Sequence, residues 1–248
     1  MGTTAQKLNK ILETKEAIRT AINNKGGTLT TTDTFASYPS AIDSLPSGGG
    51  GSLKTLLDAT KSTYHLFYNY QGTSIDGLIS YNDTENVTNM ARMFQNCSKL
   101  ATIPQLDTSS VNDMREIFYY CGKLTSIPQL DTSKVTNMIS MFRSCSKLTT
   151  IDITHMNISS ISGSDSFAWG CSILTKLIIR NMPSIPALNS NAFNYCYHFT
   201  GTTDPTYNPQ GLKDGRIYVP DDKVDALKTA SGWSKYADII VPLSTLVE

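Results

Sequence analysis

The chain is poor in the residues that most often do chemistry. Only three of its 248 residues are histidines, and His65, His155 and His198 stand in no HExxH or other metal-ligand spacing. There is no G-x-S-x-G elbow, P-loop or G-x-G-x-x-G. Charge is sparse as well: 17% of residues are charged, and 21 basic side chains balance 21 acidic ones. Without a basic surplus, no nucleic-acid or anionic-membrane partner is expected. No apolar run approaches the roughly 18 residues of a membrane span. The opening MGTTAQKLNKILETKEAIRT lacks the uninterrupted apolar core of a signal peptide, so synthesis in the cytoplasm without export by that route is expected. Cysteine is scarce and odd in number, at five, which suits neither a disulfide framework nor a zinc site built from close pairs.

The cysteines act instead as a ruler. Cys97, Cys121, Cys145, Cys171 and Cys196 follow one another at almost even intervals, the first two identical and the next two barely longer. Phe94, Phe118, Phe142, Phe167 and Phe193 lie three or four residues before them, and Leu100, Leu124, Leu148 and Leu174 lie three after. Val87-Thr88-Asn89-Met90 recurs as Val111-Asn112-Asp113-Met114 and as Val135-Thr136-Asn137-Met138, and Gln105-Leu106-Asp107-Thr108-Ser109 returns intact as Gln129 to Ser133. One buried position per structural repeat explains such spacing, so the chain is a repeat protein. Asp83-Thr84 aligns one period before Asp107-Thr108, which makes residues from about 63 to 86 a degenerate first repeat, where a terminal cap belongs. From His155 onward only the Phe, Cys and Leu positions persist.

Met138, Met141, Phe142 and Cys145 are related as i, i+3, i+4 and i+7, a spacing that predicts a short helix with these residues on one face. Asp131-Thr132-Ser133 and Thr136 offer oxygens to cap it. Leu124 to Pro128 reads as a short extended segment, kept short because proline cannot donate to a ladder. The expected fold class is therefore an α/β repeat solenoid, one short helix and one short strand per unit, with a small α-helical N-terminal module. Phe94, Phe118, Phe142, Phe167 and Phe193, together with the five cysteines, are the expected core. Helices pack about 8–10 Å apart, beyond the reach of a disulfide, so the cysteines are expected to stay as thiols and pack as small apolar groups. Asp83, Asp107 and Asp131 recur with the repeat. Catalysis uses one constellation, whereas a repeated Asp-Thr-Ser bonds backbone at each turn. No enzyme activity, cofactor or metal is expected.

The unit V-T-N-M-x-x-M-F-x-x-C-x-x-L-x-x-I, followed by D-T-S, resembles the BspA-like leucine-rich repeat family, strongly from Val87 to Ile151 and more loosely to Phe199. Arg216 to Pro220, a short helix near Asp222 to Ala230, Trp233 and Tyr236 look like the closing cap of such arrays. The resemblance implies a surface-displayed adhesion or interaction protein of bacteria, or a bacteriophage structural protein. Residues 5–46 resemble a segment found at the start of many phage tail and virion proteins, through Leu8, Ile11, Leu12, Ile18, Ile22, Phe35, Tyr38 and Ile42. With no lipobox cysteine and no sorting motif, the phage branch is the expected one: location in the virion, with the bacterial cell surface as the alternative.

The expected organisation is an N-terminal docking or oligomerisation module over 1–46, a Gly-rich linker over 47–52, a cap repeat over 53–86, leucine-rich repeats over 87–213 and a C-terminal cap over 214–248. The first module carries an amphipathic stripe (Leu8, Ile11, Leu12, Ile18, Ile22) ended by Gly26-Gly27, then a second short helix bearing Phe35 and Tyr38. About 45 residues form a marginal core alone, which suits docking on other virion proteins or homo-oligomerisation. The run Ser47 to Ser52 is a flexible joint spanning about 14–16 Å. In the array, Gln105 and Gln129 are equivalent, and Tyr119, Tyr120 and Arg143 are residue types of interface hot spots. These five are the candidate ligand surface, for a host-surface glycan or protein. Trp169, Tyr195 and Tyr197 read as cap packing.

Overall fold

Every buried backbone N–H needs an acceptor, and a single short repeat has too few neighbours of its own to supply them all. In the computed structural model, which describes residues 57–247 apart from 156–165 and positions 59, 77, 187, 190, 207, 209 and 212, successive repeats supply them to one another. The N–H groups of Met90, Arg92, Phe94 and Asn96 donate to the carbonyls of Asp113, Arg115, Ile117 and Tyr119 at 2.8–3.0 Å. Met114, Glu116, Phe118 and Tyr120 repeat the pattern onto Asn137, Ile139, Met141 and Arg143 at 2.8–3.1 Å. The intervening N–H groups close tight turns within the repeat: Met93 onto Met90, Gln95 onto Arg92, Cys97 onto Phe94.

This turn ladder replaces the helix that the apolar spacing predicts. No α-helix lies at 90–97, 114–121 or 138–145. An α-helical turn would consume its own N–H groups and leave neighbouring repeats joined by side chains alone. The turns instead place two residues per repeat at positive φ: His65 and Asn69, Arg92 and Asn96, Glu116 and Tyr120, Ser140 and Ser144, all between 52° and 64°. Each non-glycine residue there costs roughly 1–2 kcal/mol, and the bonds between repeats offset it. The predicted inward set is nonetheless inward: Met138, Met141, Phe142 and Cys145 are all fully buried.

The opposite, extended side of the repeat becomes a sheet only late in the chain. Strands β1 (Thr150–His155), β2 (Lys176–Asn181), β3 (Arg216–Val219) and β4 (Ile240–Pro242) form a parallel sheet in the order β1-β2-β3-β4. Before β1 this side makes single bonds, such as Thr125 N–H to the Ala101 carbonyl at 3.1 Å. The bridge of Leu130 to Ile153 and the pairing of Ile151, Leu177 and Ile217 place Pro128 in register with Ile151. The ladder thus begins where a residue with an N–H takes over from proline. The recurrent acids bond locally as expected: Asp107 accepts from the Ser109 N–H at 3.0 Å, and Asp131 from that of Ser133 at 2.9 Å.

Between the two sides runs one apolar core. Phe67, Phe94, Phe118 and Phe142 stack with centroids 5.5–5.7 Å apart and planes within 18°. Phe67, the ring of the first repeat, was hidden in the sequence because the interval from Phe67 to Phe94 is longer than that from Phe94 to Phe118. At Phe142 to Phe167 the contact turns edge-on, at 82°. The backbone gives the reason: Phe142 N–H bonds the Phe167 carbonyl, which makes Ala168, not Phe167, the rung equivalent of Phe142. Phe167 is one place out of phase. The column ends where Tyr236 meets Phe193 edge-on at 5.3 Å.

The five cysteines are free and buried, but not for the reason expected. Helix spacing does not keep them apart, because hydrogen-bonded rungs lie only about 4.7–4.9 Å apart. Each thiol is engaged: the Sγ–H groups of Cys97, Cys121, Cys145, Cys171 and Cys196 donate to the carbonyls of Phe67, Phe94, Phe118, Phe142 and Ala168 at 2.9–3.0 Å. Burial pushes the thiols of Cys121, Cys145 and Cys196 well above their usual range. A thiolate is the reactive form, so the native chain is expected to resist a maleimide while the denatured chain labels at all five cysteines. Rapid native labelling, read by mass spectrometry, would contradict this packing.

The last stretch closes the array. After β3, helix α2 (Val224–Thr229; α1 is Tyr197–Thr200) leads to Trp233 and Tyr236, both buried. The Trp233 indole N–H reaches the Pro186 carbonyl at 2.8 Å.

Candidate functional site

The turn ladder fixes which side chains line up on the surface. Gln95, Tyr119, Arg143, Trp169 and Asn194 each supply the carbonyl that receives the rung bond from the preceding repeat, so they form one column. The donors of those bonds, Asn69, Asn96, Tyr120, Ser144 and Gly170, form the column beside it. Tyr195 continues the second column, with φ 60° against 60°, 62° and 77° at Tyr120, Ser144 and Gly170. Asn and Gly are the residues that tolerate such a turn most readily, and they occupy this column at Asn69, Asn96 and Gly170.

Where the columns cross repeats three to six, the side chains join. The Arg143 guanidinium lies over Trp169, 4.6 Å from its ring, and over Tyr119 at 5.5 Å. Tyr120 packs edge-on against Tyr119 at 4.6 Å, Tyr195 against Trp169 at 4.8 Å, and Tyr197 against Tyr195 at 6.3 Å. Tyr120 and Tyr195 remain 47% and 53% exposed. A cation held between two aromatic faces is stabilised by about 0.5–2 kcal/mol per contact. Burial raises the Tyr119 hydroxyl above its usual range, against the nearby Arg143 charge that favours ionisation.

The same face is electrically different toward the N-terminus. There Arg92 pairs with Glu116 at 3.1 Å and reaches the Tyr64 hydroxyl at 3.3 Å, while Gln95 donates to Glu116 at 2.9 Å. Arg143 has no carboxylate in ion-pair reach among the described residues, and its Nε has no hydrogen-bond partner.

Of the five residues expected to form a ligand surface, three meet here: Tyr119, Tyr120 and Arg143. Gln105 and Gln129 stand apart, in the extended run on the sheet side, where the Gln105 amide donates to the Gln129 carbonyl at 2.9 Å. Trp169, Tyr195 and Tyr197 belong to the cluster, although the sequence suggested cap packing for them. The residues Leu8, Ile11, Leu12, Ile18, Ile22, Phe35 and Tyr38 lie outside the described residues.

The thiols are sealed in the core, and no three His, Cys, Asp or Glu side chains gather as metal ligands among the described residues. His198 pairs with Asp214 at 2.6 Å, and His155 with Asn181 at 2.7 Å. The aromatic face is partly open to solvent through Tyr120 and Tyr195.

Residues 61–181, just under half of the chain, match the family described as "Mycoplasma protein of unknown function, DUF285". No curated protein and no solved structure matches the chain.

Proposed function

We propose that the protein is a non-enzymatic display component of a bacteriophage virion: a BspA-like leucine-rich-repeat solenoid held outward from the particle by its N-terminal module, for host-surface binding or particle decoration. The backbone bonds that join each repeat to the next support the solenoid reading. The likeness of residues 5–46 to the opening segment of phage virion proteins supports the location. The observation that carries the binding role is the open cluster of Tyr119, Tyr120, Arg143, Trp169 and Tyr195, large rings fixed in place by a backbone ladder. Preorganised aromatic and arginine side chains are what interfaces use as anchors.

The test is adsorption. Particles lacking the chain should attach to host cells less well than complete particles, and the purified chain should bind those cells. If neither holds, host binding is rejected and decoration remains.

A second reading draws on the family match, whose description names a Mycoplasma protein of unknown function: a bacterial cell-surface adhesin. The two readings separate by gene neighbourhood, capsid and tail genes against a secretion or surface-sorting locus.

A further inference from the structure

We propose that the aromatic face is a site for an acidic saccharide, a sugar bearing a carboxylate, with Arg143 as the residue that reads the charge. The inference rests on the display reading above and gives it a ligand class.

Charge is the first ground. Arg143 stands in a cluster of uncharged side chains, unpaired with any carboxylate among the described residues, while the equivalent face two repeats earlier neutralises Arg92 within the protein. The guanidinium lies over the Tyr119 and Trp169 rings, and its N–H donors all lie in its own plane. Its fork of N–H donors matches a carboxylate two-to-two, a geometry that lysine cannot reproduce.

The second is shape. Along the outer column, Tyr120, Ser144, Gly170 and Tyr195 stand on consecutive rungs. The tyrosine backbones are therefore three rungs, about 14–15 Å, apart, with a hydroxymethyl and a hydrogen between them. A Cβ built on Gly170 would first meet the Ser144 Oγ, at 3.5 Å. Large half-exposed rings thus flank a stretch of low relief beside Arg143. A pyranose offers what this needs: an apolar C–H face for the rings and hydroxyls for the tyrosine O–H groups. A single cation is a poor match for nucleic acid, whose binding is dominated by several phosphate contacts.

The experiment titrates the full chain, by calorimetry or NMR, with oligosaccharides ending in galacturonate, glucuronate or sialate, and with the methyl esters of the same sugars. Binding to at least one acid is expected, with its ester weaker by about tenfold, the worth of one charge-assisted bond. Arg143→Lys should cost a similar factor although the charge is kept. Tyr120→Ala and Tyr195→Ala should each cost about threefold to tenfold; both side chains are half exposed, so these variants keep the test open if Arg143→Lys fails to fold. Gln129→Ala, on the sheet side, should change nothing. The proposal is overturned if the wild-type chain binds none of the acids, or if esterification and the tyrosine substitutions leave affinity unchanged. Its failure is separable from that of the display reading. Cell binding that acidic sugars do not compete leaves host attachment standing without this site, whereas sugar binding without cell binding leaves this site standing without host attachment.

Discussion

Phe118→Ala is expected to lower the free energy of unfolding by about 3–5 kcal/mol, the range for removing a buried aromatic ring. Phe118 is fully buried and sits between Phe94 and Phe142, with centroids at 5.7 and 5.5 Å. Its backbone is pinned on both sides: its N–H bonds the Met141 carbonyl, and its own carbonyl accepts the Cys121 N–H and the Cys145 thiol. The site therefore cannot collapse to fill the space. Urea unfolding with an unchanged slope would read the effect directly. A loss below about 1 kcal/mol would mean that the rings are not packed to interior density. A Phe94→Ala, Phe118→Ala cycle should show coupling, since the two rings touch.

The second large effect is expected at the closing cap, from Gly232→Ala. Gly232 has φ +78°, and a Cβ there would lie 1.9 Å from the Leu188 carbonyl oxygen and 2.7 Å from its carbon. Both contacts are with backbone, so no side chain can swing aside. Relief requires moving the segment after α2 away from Pro186 and Leu188, and that segment is keyed there by the fully buried Trp233 and its bond to the Pro186 carbonyl. The left-handed backbone alone adds roughly 1–2 kcal/mol for alanine. A total of about 3–5 kcal/mol is expected, in the class of overpacking and backbone strain. The chain has two tryptophans, so in a Trp169→Phe background the emission reports Trp233 alone. It should shift to the red in the Gly232→Ala chain. Unchanged emission and midpoint would mean that the cap does not depend on this approach.

Much of the molecule was legible in the sequence because one residue per repeat has one job. Cysteine is small enough for the core and donates to the neighbouring repeat, so it recurs and reveals the period. The helix was misread because the spacing i, i+3, i+4, i+7 places the same four residues inward on a helix and on a run of tight turns. The discriminating signal was the position just before the cysteine, where Asn96 and Gly170 favour positive φ; Tyr120, Ser144 and Tyr195 in the same column obscured it. The phase slip at Phe167 was visible only as a ring four residues before its cysteine instead of three. In the candidate site, Tyr119, Tyr120 and Arg143 were legible as residue types. Their union with Trp169 and Tyr195 was not, because it depends on rungs that stay aligned across repeats of unequal length. Gln105 and Gln129 were grouped with them as equivalent repeat positions, and their place in the extended run puts them on the other side.

The intact recurrence of Gln105 to Ser109 as Gln129 to Ser133 has an evolutionary consequence. A crossover between such copies excises or duplicates one whole unit. Each splice restores the same backbone partners, so both termini of the array are untouched. Loss of 110–133 would set Arg143 against Gln95 instead of Tyr119, and a duplication would give it a new neighbour of another kind. The make-up of the aromatic face is thereby open to drift through changes in copy number, without a single substitution in the residues that hold the protein together.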